Sequence, residues 1–150
     1  MAQTLTRLLV HIVFSAKNRE HTILPSVEAA LYAHIGGVCK HHQSPLLAIG
    51  GMADHVHLLV SQSKNIALSP LVMEIKRDSS LWIKTRGDEF AGLHWQDGYS
   101  AFTVGESGVE RLMKYIGNQK EHHRRRDFKA ELIALLHKYK VVYDERYLWS

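Results

Sequence analysis

Residues 54–60 read Asp54-His55-Val56-His57-Leu58-Leu59-Val60. The run is short, rich in aliphatic residues, and puts Val56, Leu58 and Val60 at every second position, the pattern of a strand over His55 to Ser61. Side chains alternate along a strand, so His55 and His57 share the face opposite those three. Asp54, one residue earlier, is expected on the other face if the strand is regular. Upstream, Leu46 to Ile49 reads as a second strand and Gly50-Gly51 as the turn that closes a hairpin. Further out, Pro25-Ser26 opens a helix with Val27, Leu31, Ile35 and Val38 on its apolar side, weakened toward its end by Gly36-Gly37. The β-branched run Leu8 to Phe14 is the first strand.

Downstream, Ser69-Pro70 reads as a helix start, with Ser as cap and Pro at the first helical position. Leu71, Ile75, Trp82 and Ile83 mark its buried side, and it stops near Gly87. Tyr99 to Val104 is a fourth strand. Ser107-Gly108-Val109-Glu110 reads as a capping box, opening a helix to about His123. Asp127 caps a last helix with Phe128, Leu132, Leu135 and Leu136 inside, and an aromatic tail runs from Val141 to Trp149. Strand, helix, strand, strand, helix, strand is the ferredoxin-like βαββαβ order. It implies an α+β, two-layer sandwich with an antiparallel sheet, followed by C-terminal helices.

The 150 residues suit one domain, and 45% hydrophobic with 23% charged residues excludes a disordered chain. Nineteen basic against 15 acidic residues gives a net charge of +4, with a pI near 9.2, which suits an anionic partner without demanding one. The single cysteine, Cys39, excludes an intrachain disulfide framework. No apolar run approaches the roughly 20 residues that span a membrane. The run Leu8 to Phe14, interrupted by His11, lacks a following cleavage site, so the expected location is cytoplasmic, with no membrane partner.

Three features carry chemistry. His55 and His57, two imidazoles at i and i+2 on a strand, can share one metal ion, or can simply titrate on a solvated face. In Tyr115-Ile116-Gly117-Asn118-Gln119, Tyr115 and Gln119 are helical neighbours, with Arg111 and His122 on the same side. A tyrosine at the edge of a buried stripe can be reached from a cleft, or can just pack its ring there. The run Lys120-Glu121-His122-His123-Arg124-Arg125-Arg126 suits phosphate binding, through Lys120, Arg124, Arg125 and Arg126, and equally suits a solvated helix end. Lys76 and Arg77 are further candidate DNA contacts, and Trp82, Trp95 and Tyr99 could stack on unpaired bases or belong to the core.

Taken together, His11-Ile12-Val13-Phe14, the Asp54 to Leu59 segment, Trp95-Gln96-Asp97-Gly98-Tyr99 and Tyr115 to Gln119 resemble one family over nearly the whole chain. It is the single-tyrosine HUH transposases of small bacterial insertion sequences, with REP-associated tyrosine transposases as cousins. The resemblance implies Tyr115 as nucleophile and His55, His57 and Gln119 as ligands of Mg²⁺ or Mn²⁺. It implies cutting and rejoining of single-stranded DNA at hairpin ends through a 5′-phosphotyrosine, by a homodimer in which helix motion would involve Gly105 to Gly108 and Gly117. Two other readings stand beside it. One is a transposase-derived module that binds single strands without cutting them. The other is a metal-dependent hydrolase using His55, His57, His122 and His123. The hydrolase lacks a carboxylate beside the histidine pair if Asp54 points away.

Overall fold

The computed structural model describes residues 2–150. The strands are β1 (Leu8–Ser15), β2 (Leu46–Met52), β3 (His55–Gln62) and β4 (Ser100–Thr103). They form one sheet in the order β2-β3-β1-β4, antiparallel at every pairing. Helices α1 (Pro25–His41) and α2 (Leu68–Lys84) are the two crossovers. Helices α3 (Val109–Gly117), α4 (Gln119–His122), α5 (Phe128–Lys138) and α6 (Glu145–Leu148) follow the last strand. This is the ferredoxin-like order expected from the sequence. No helix among the described residues is long and apolar enough to cross a membrane.

The alternation in β1 and β3 divides the core. Ile12, Phe14, Val56, Leu58 and Val60 bury against α1 and α2, meeting Leu31, Ile35, Leu71 and Ile75. The other face meets the C-terminal helices: Leu9 and Leu59 pack on Ile116 of α3, and Val13 and Phe102 on Phe128, Leu132 and Leu136 of α5. Burying a large aliphatic side chain contributes about 1.5–3 kcal/mol, so both interfaces are substantial. The C-terminal helices thus add a second helical cover to the sandwich, and the histidine pair lies beneath it.

Local details depart from the sequence reading. Gly50 and Gly51 are inside β2, paired with His57 and Val56, and the turn falls on Ala53-Asp54. A Cβ on Gly50 would lie 2.1 Å from the Ile116 carbonyl oxygen, so this glycine is what lets the end of α3 rest on the sheet. Helix α2 starts at Leu68 with Ala67 as its cap, which puts Ser69 and Pro70 inside the first turn. The expected capping box does not form. Glu106–Gly108 is a 3₁₀ turn, Gly108 caps α3 without a side-chain bond, and Glu106 pairs with Arg7 instead. The expected single helix to His123 is broken at Asn118, whose φ of −102° and ψ of 23° separate α3 from α4. Asp127 does cap α5, accepting from the Ala130 amide at 2.9 Å.

Candidate active site

His55 and His57 lie side by side on β3, both completely buried, with ring centroids 5.2 Å apart. Their Nε2 atoms point inward and their Nδ1 atoms outward. His55 Nδ1 donates to Asp54 Oδ1 at 2.7 Å, and His57 Nδ1 is 2.8 Å from Nε2 of His11 on β1. Such outer bonds fix the orientation of ring nitrogens offered to a common centre. Asp54 therefore does not turn to the opposite face. It stands in the turn before β3, outside strict alternation, and bends back to its neighbour's ring.

Glu131 of α5 closes the centre. Its carboxylate is 2% exposed and meets five side chains. Oε1 accepts from His57 Nε2 at 2.8 Å and His123 Nε2 at 3.2 Å, and lies 3.5 Å from His55 Nε2. Oε2 accepts from Gln119 Nε2 at 3.1 Å and from the Tyr115 hydroxyl in a short hydrogen bond. Gln119 is buried as well, and its Oε1 accepts from His55 Nε2 at 3.0 Å. Tyr115, His55, His57 and Gln119, the four residues singled out in the sequence, are thus gathered around one carboxylate. The sequence reading missed that carboxylate, and with Asp54 it answers the objection that no acid stands beside the histidines.

The charges follow from this packing. Burial opposes ionisation of Glu131, but hydrogen bonds from His55 and His57, electrostatic interaction with His57 and the Tyr115 hydroxyl hold it well below the usual carboxylate range. Burial also opposes charging His55, yet Asp54 and Glu131 outweigh it and raise its pKa to about 9. His11 is pushed down to about 3, first by burial and then by His57. The Tyr115 phenol is pushed up, by burial first and then by its hydrogen bond to Glu131. In this arrangement Tyr115 is a held phenol, not a ready phenolate.

The donor set fits a divalent cation. His55, His57 and Glu131 offer three ligand atoms that lie within 4.8 Å of one another, and the Gln119 carbonyl oxygen is adjacent. Two imidazoles, an amide and one carboxylate suit a six-coordinate ion that keeps open positions, rather than a closed thiolate-rich zinc.

The other candidates disperse. Lys76 turns inward, donating to the carbonyls of Gln96 at 2.7 Å and Gly98 at 2.5 Å, and burial lowers its pKa to about 8. Arg77 binds Glu74, Lys120 binds Glu28 and Arg124 meets Glu121. Arg125 is exposed, and Arg126 borders a cleft beside Tyr115. Trp95 packs edge-on against Phe14 and donates to Ser79, Trp82 stacks on His34, and Tyr99 remains 38% exposed.

A family model described as IS200-like transposase matches residues 4–119. The ISDra2 transposase TnpA of Deinococcus radiodurans is 24% identical over 118 residues, covering 75% of this chain and 84% of that one. The transposase for insertion sequence IS200 of Salmonella typhimurium is 27% identical over 130 residues, covering 81% and 82%. Among solved structures, a REP-associated tyrosine transposase bound to a REP hairpin has the same fold, with a TM-score of 0.60, 15% identity, and coverage of 82% of this chain and 74% of that one. Glu131 lies beyond the matched segment.

Proposed function

The chain belongs to the IS200-like transposase family, whose model spans well over half of it, and from that premise we propose that it cuts and rejoins single-stranded DNA by attack of Tyr115 on a backbone phosphate. One observation carries this reading: the Tyr115 hydroxyl, the Gln119 amide and the His57 imidazole all bind the same buried Glu131 carboxylate, with His55 alongside.

The reaction is a transesterification. The Tyr115 oxygen bonds to phosphorus in line with the departing 3′ oxygen, and the P–O3′ bond breaks. The products are a 5′-phosphotyrosine and a free 3′-hydroxyl. The phenol loses one proton and the 3′ oxygen gains one. A diester is exchanged for a diester, so a 3′-hydroxyl can later attack and rejoin the strand without an external energy source.

His55, His57, Glu131 and Gln119 are the residues we propose to hold Mg²⁺ or Mn²⁺. When bound there, the ion would supply Lewis-acid stabilisation of the phosphate's developing charge. Glu131 fixes the phenol by accepting its hydrogen bond, and at its lowered pKa it orients the hydroxyl more than it acts as a base. Asp54 and His11 keep the two imidazoles turned inward. The solved relative bound to a REP hairpin supports hairpin DNA as the substrate class, and a homodimer is the assembly the family resemblance implies.

Glu131 and Asp54 supply the acids that the hydrolase reading needed. The Tyr115 hydroxyl on the same carboxylate favours the tyrosine instead. The test is a denaturing gel of protein incubated with labelled single-stranded hairpin oligonucleotides and Mn²⁺. We expect a metal-dependent covalent band that disappears in Tyr115→Phe. Free cleaved DNA that persists in Tyr115→Phe would establish water as the nucleophile, and salt-sensitive binding without cleavage would favour the binding module.

A further inference from the structure

A cleft of about 580 Å³ opens between α3, α5 and the end of β4, with Tyr115 and Glu131 in its lining. Three cations border it: Arg111 from α3, Arg126 from the segment between α4 and α5, and Lys138 from the last turn of α5. All three are exposed, and among the described residues none makes an ion pair. Of the other basic groups nearby, Lys120 pairs with Glu28 and Arg124 with Glu121, and the exposed Arg125 is outside the lining. Glu131 is the only acid in the lining, and its charge is already shared among the imidazoles and the phenol. The cleft therefore presents three exposed positive charges without ion-pair partners, in a lining that also contains the candidate nucleophile. Arg126 lines the cleft together with Tyr115, and Lys138 lines it together with His11.

We infer that this cleft seats the phosphodiesters flanking the scissile one, with Arg111 and Lys138 as the phosphate-binding groups and Arg126 beside Tyr115. The inference rests on the single-strand transesterase reading above and adds to it a route for the strand. The ligand must be a polyanion, because three cations spread around one cleft exceed what a single phosphate diester can satisfy. Consecutive backbone phosphates meet that need, and guanidinium groups bind them by paired hydrogen bonds. Gly105 and Gly108 in the cleft wall, with open space where a Cβ would stand, leave room for the backbone of the strand.

The test crosses protein and DNA changes. Cleavage by the wild-type protein first maps the scissile phosphate. Affinity is then measured in the Tyr115→Phe background, with and without Arg111→Ala plus Lys138→Ala, against oligonucleotides in which the two flanking phosphates are neutral methylphosphonates. The expected result is that neutralising those phosphates weakens binding about tenfold with Arg111 and Lys138 present and less than twofold without them. The salt slope of log K should become shallower by about 1.4 in the double variant, about 0.7 for each single-strand phosphate that no longer meets a cation. Equal losses of affinity in both backgrounds, with covalent adduct still formed by the wild type, would overturn the cleft assignment alone. If the wild type forms no adduct with any single strand, the parent reading falls and the inference with it. Both positions are exposed, so an unchanged melting temperature is expected and separates impaired binding from impaired folding.

Discussion

Five polar side chains, His11, His55, His57, Gln119 and Glu131, are each at most 2% exposed and satisfy one another. Such a network is stable only when complete, because a buried charge left without its partner costs about 3–5 kcal/mol. Glu131→Ala should therefore lower the melting temperature of the metal-free protein markedly, while Tyr115→Phe, which removes one donor of several, should lower it little; thermal melts compare them. His11→Phe keeps the bulk but removes the outer bond to His57, and should weaken Mn²⁺ binding about 10–100-fold, read by paramagnetic resonance titration. Unchanged affinity would mean that His57 needs no support. At this scale the sequence was half legible. The alternation of β3 puts His55 and His57 on one face, but Tyr115 and Gln119 stand on either side of the break at Asn118 and meet at Glu131 Oε2 rather than along one helix. Glu131 also carries a signal in the sequence. It stands at i+3 in the stripe Phe128, Leu132, Leu135, where a carboxylate is almost never found unless paired. His11 carried a similar signal, as a lone imidazole in an apolar strand.

The elements decide how near Tyr115 comes to the histidines. Gly50 pairs with His57 in the sheet and touches the carbonyl end of α3. Gly50→Ala should destabilise by more than about 2 kcal/mol and should slow adduct formation in the fraction that folds, because α3 must shift away from β3. Gly117 is different. It has open space around its Cβ position and ends α3 with no positive φ. Gly117→Ala should stabilise by up to about 1 kcal/mol, and unchanged cleavage would remove the idea that this glycine is a hinge. The element order was readable because hydrophobic period and length distinguish strand from helix. The ends were less so. Gly50-Gly51 looks like a turn in isolation, yet both residues pair with β3, and the end of α3 packs on Gly50. The Ser107 to Glu110 box does not form: the segment tightens into a 3₁₀ turn, and Glu106, one residue outside the motif, pairs with Arg7.

Across the whole molecule, the helices after β4 matter most, because they cover the sheet face on which the histidines lie and deliver Glu131. Nothing in the βαββαβ order announces that second cover, which depends on contacts between segments far apart in the chain. The first cover makes its own prediction. Cys39, in the last turn of α1, is fully buried, and burial pushes its thiol up to about 11. The folded state then holds a proton that the unfolded chain releases near pH 9, so this contribution to stability is intact below pH 9 and is lost as pH rises toward 11. Denaturant melts should show a steeper decline over that interval in the wild type than in Cys39→Ala, by at most about 1.4 kcal/mol per pH unit. Parallel curves would indicate that the thiol ionises freely. The proposed reaction turns on one oxygen atom, that of Tyr115. Nuclease and protease digestion of the DNA-linked protein, followed by mass spectrometry of the peptides, reads it directly. The expected product is a nucleotide joined through phosphate to the peptide that contains Tyr115. The same modification on Tyr139 or Tyr143, or cleaved DNA with no modified peptide, would contradict it.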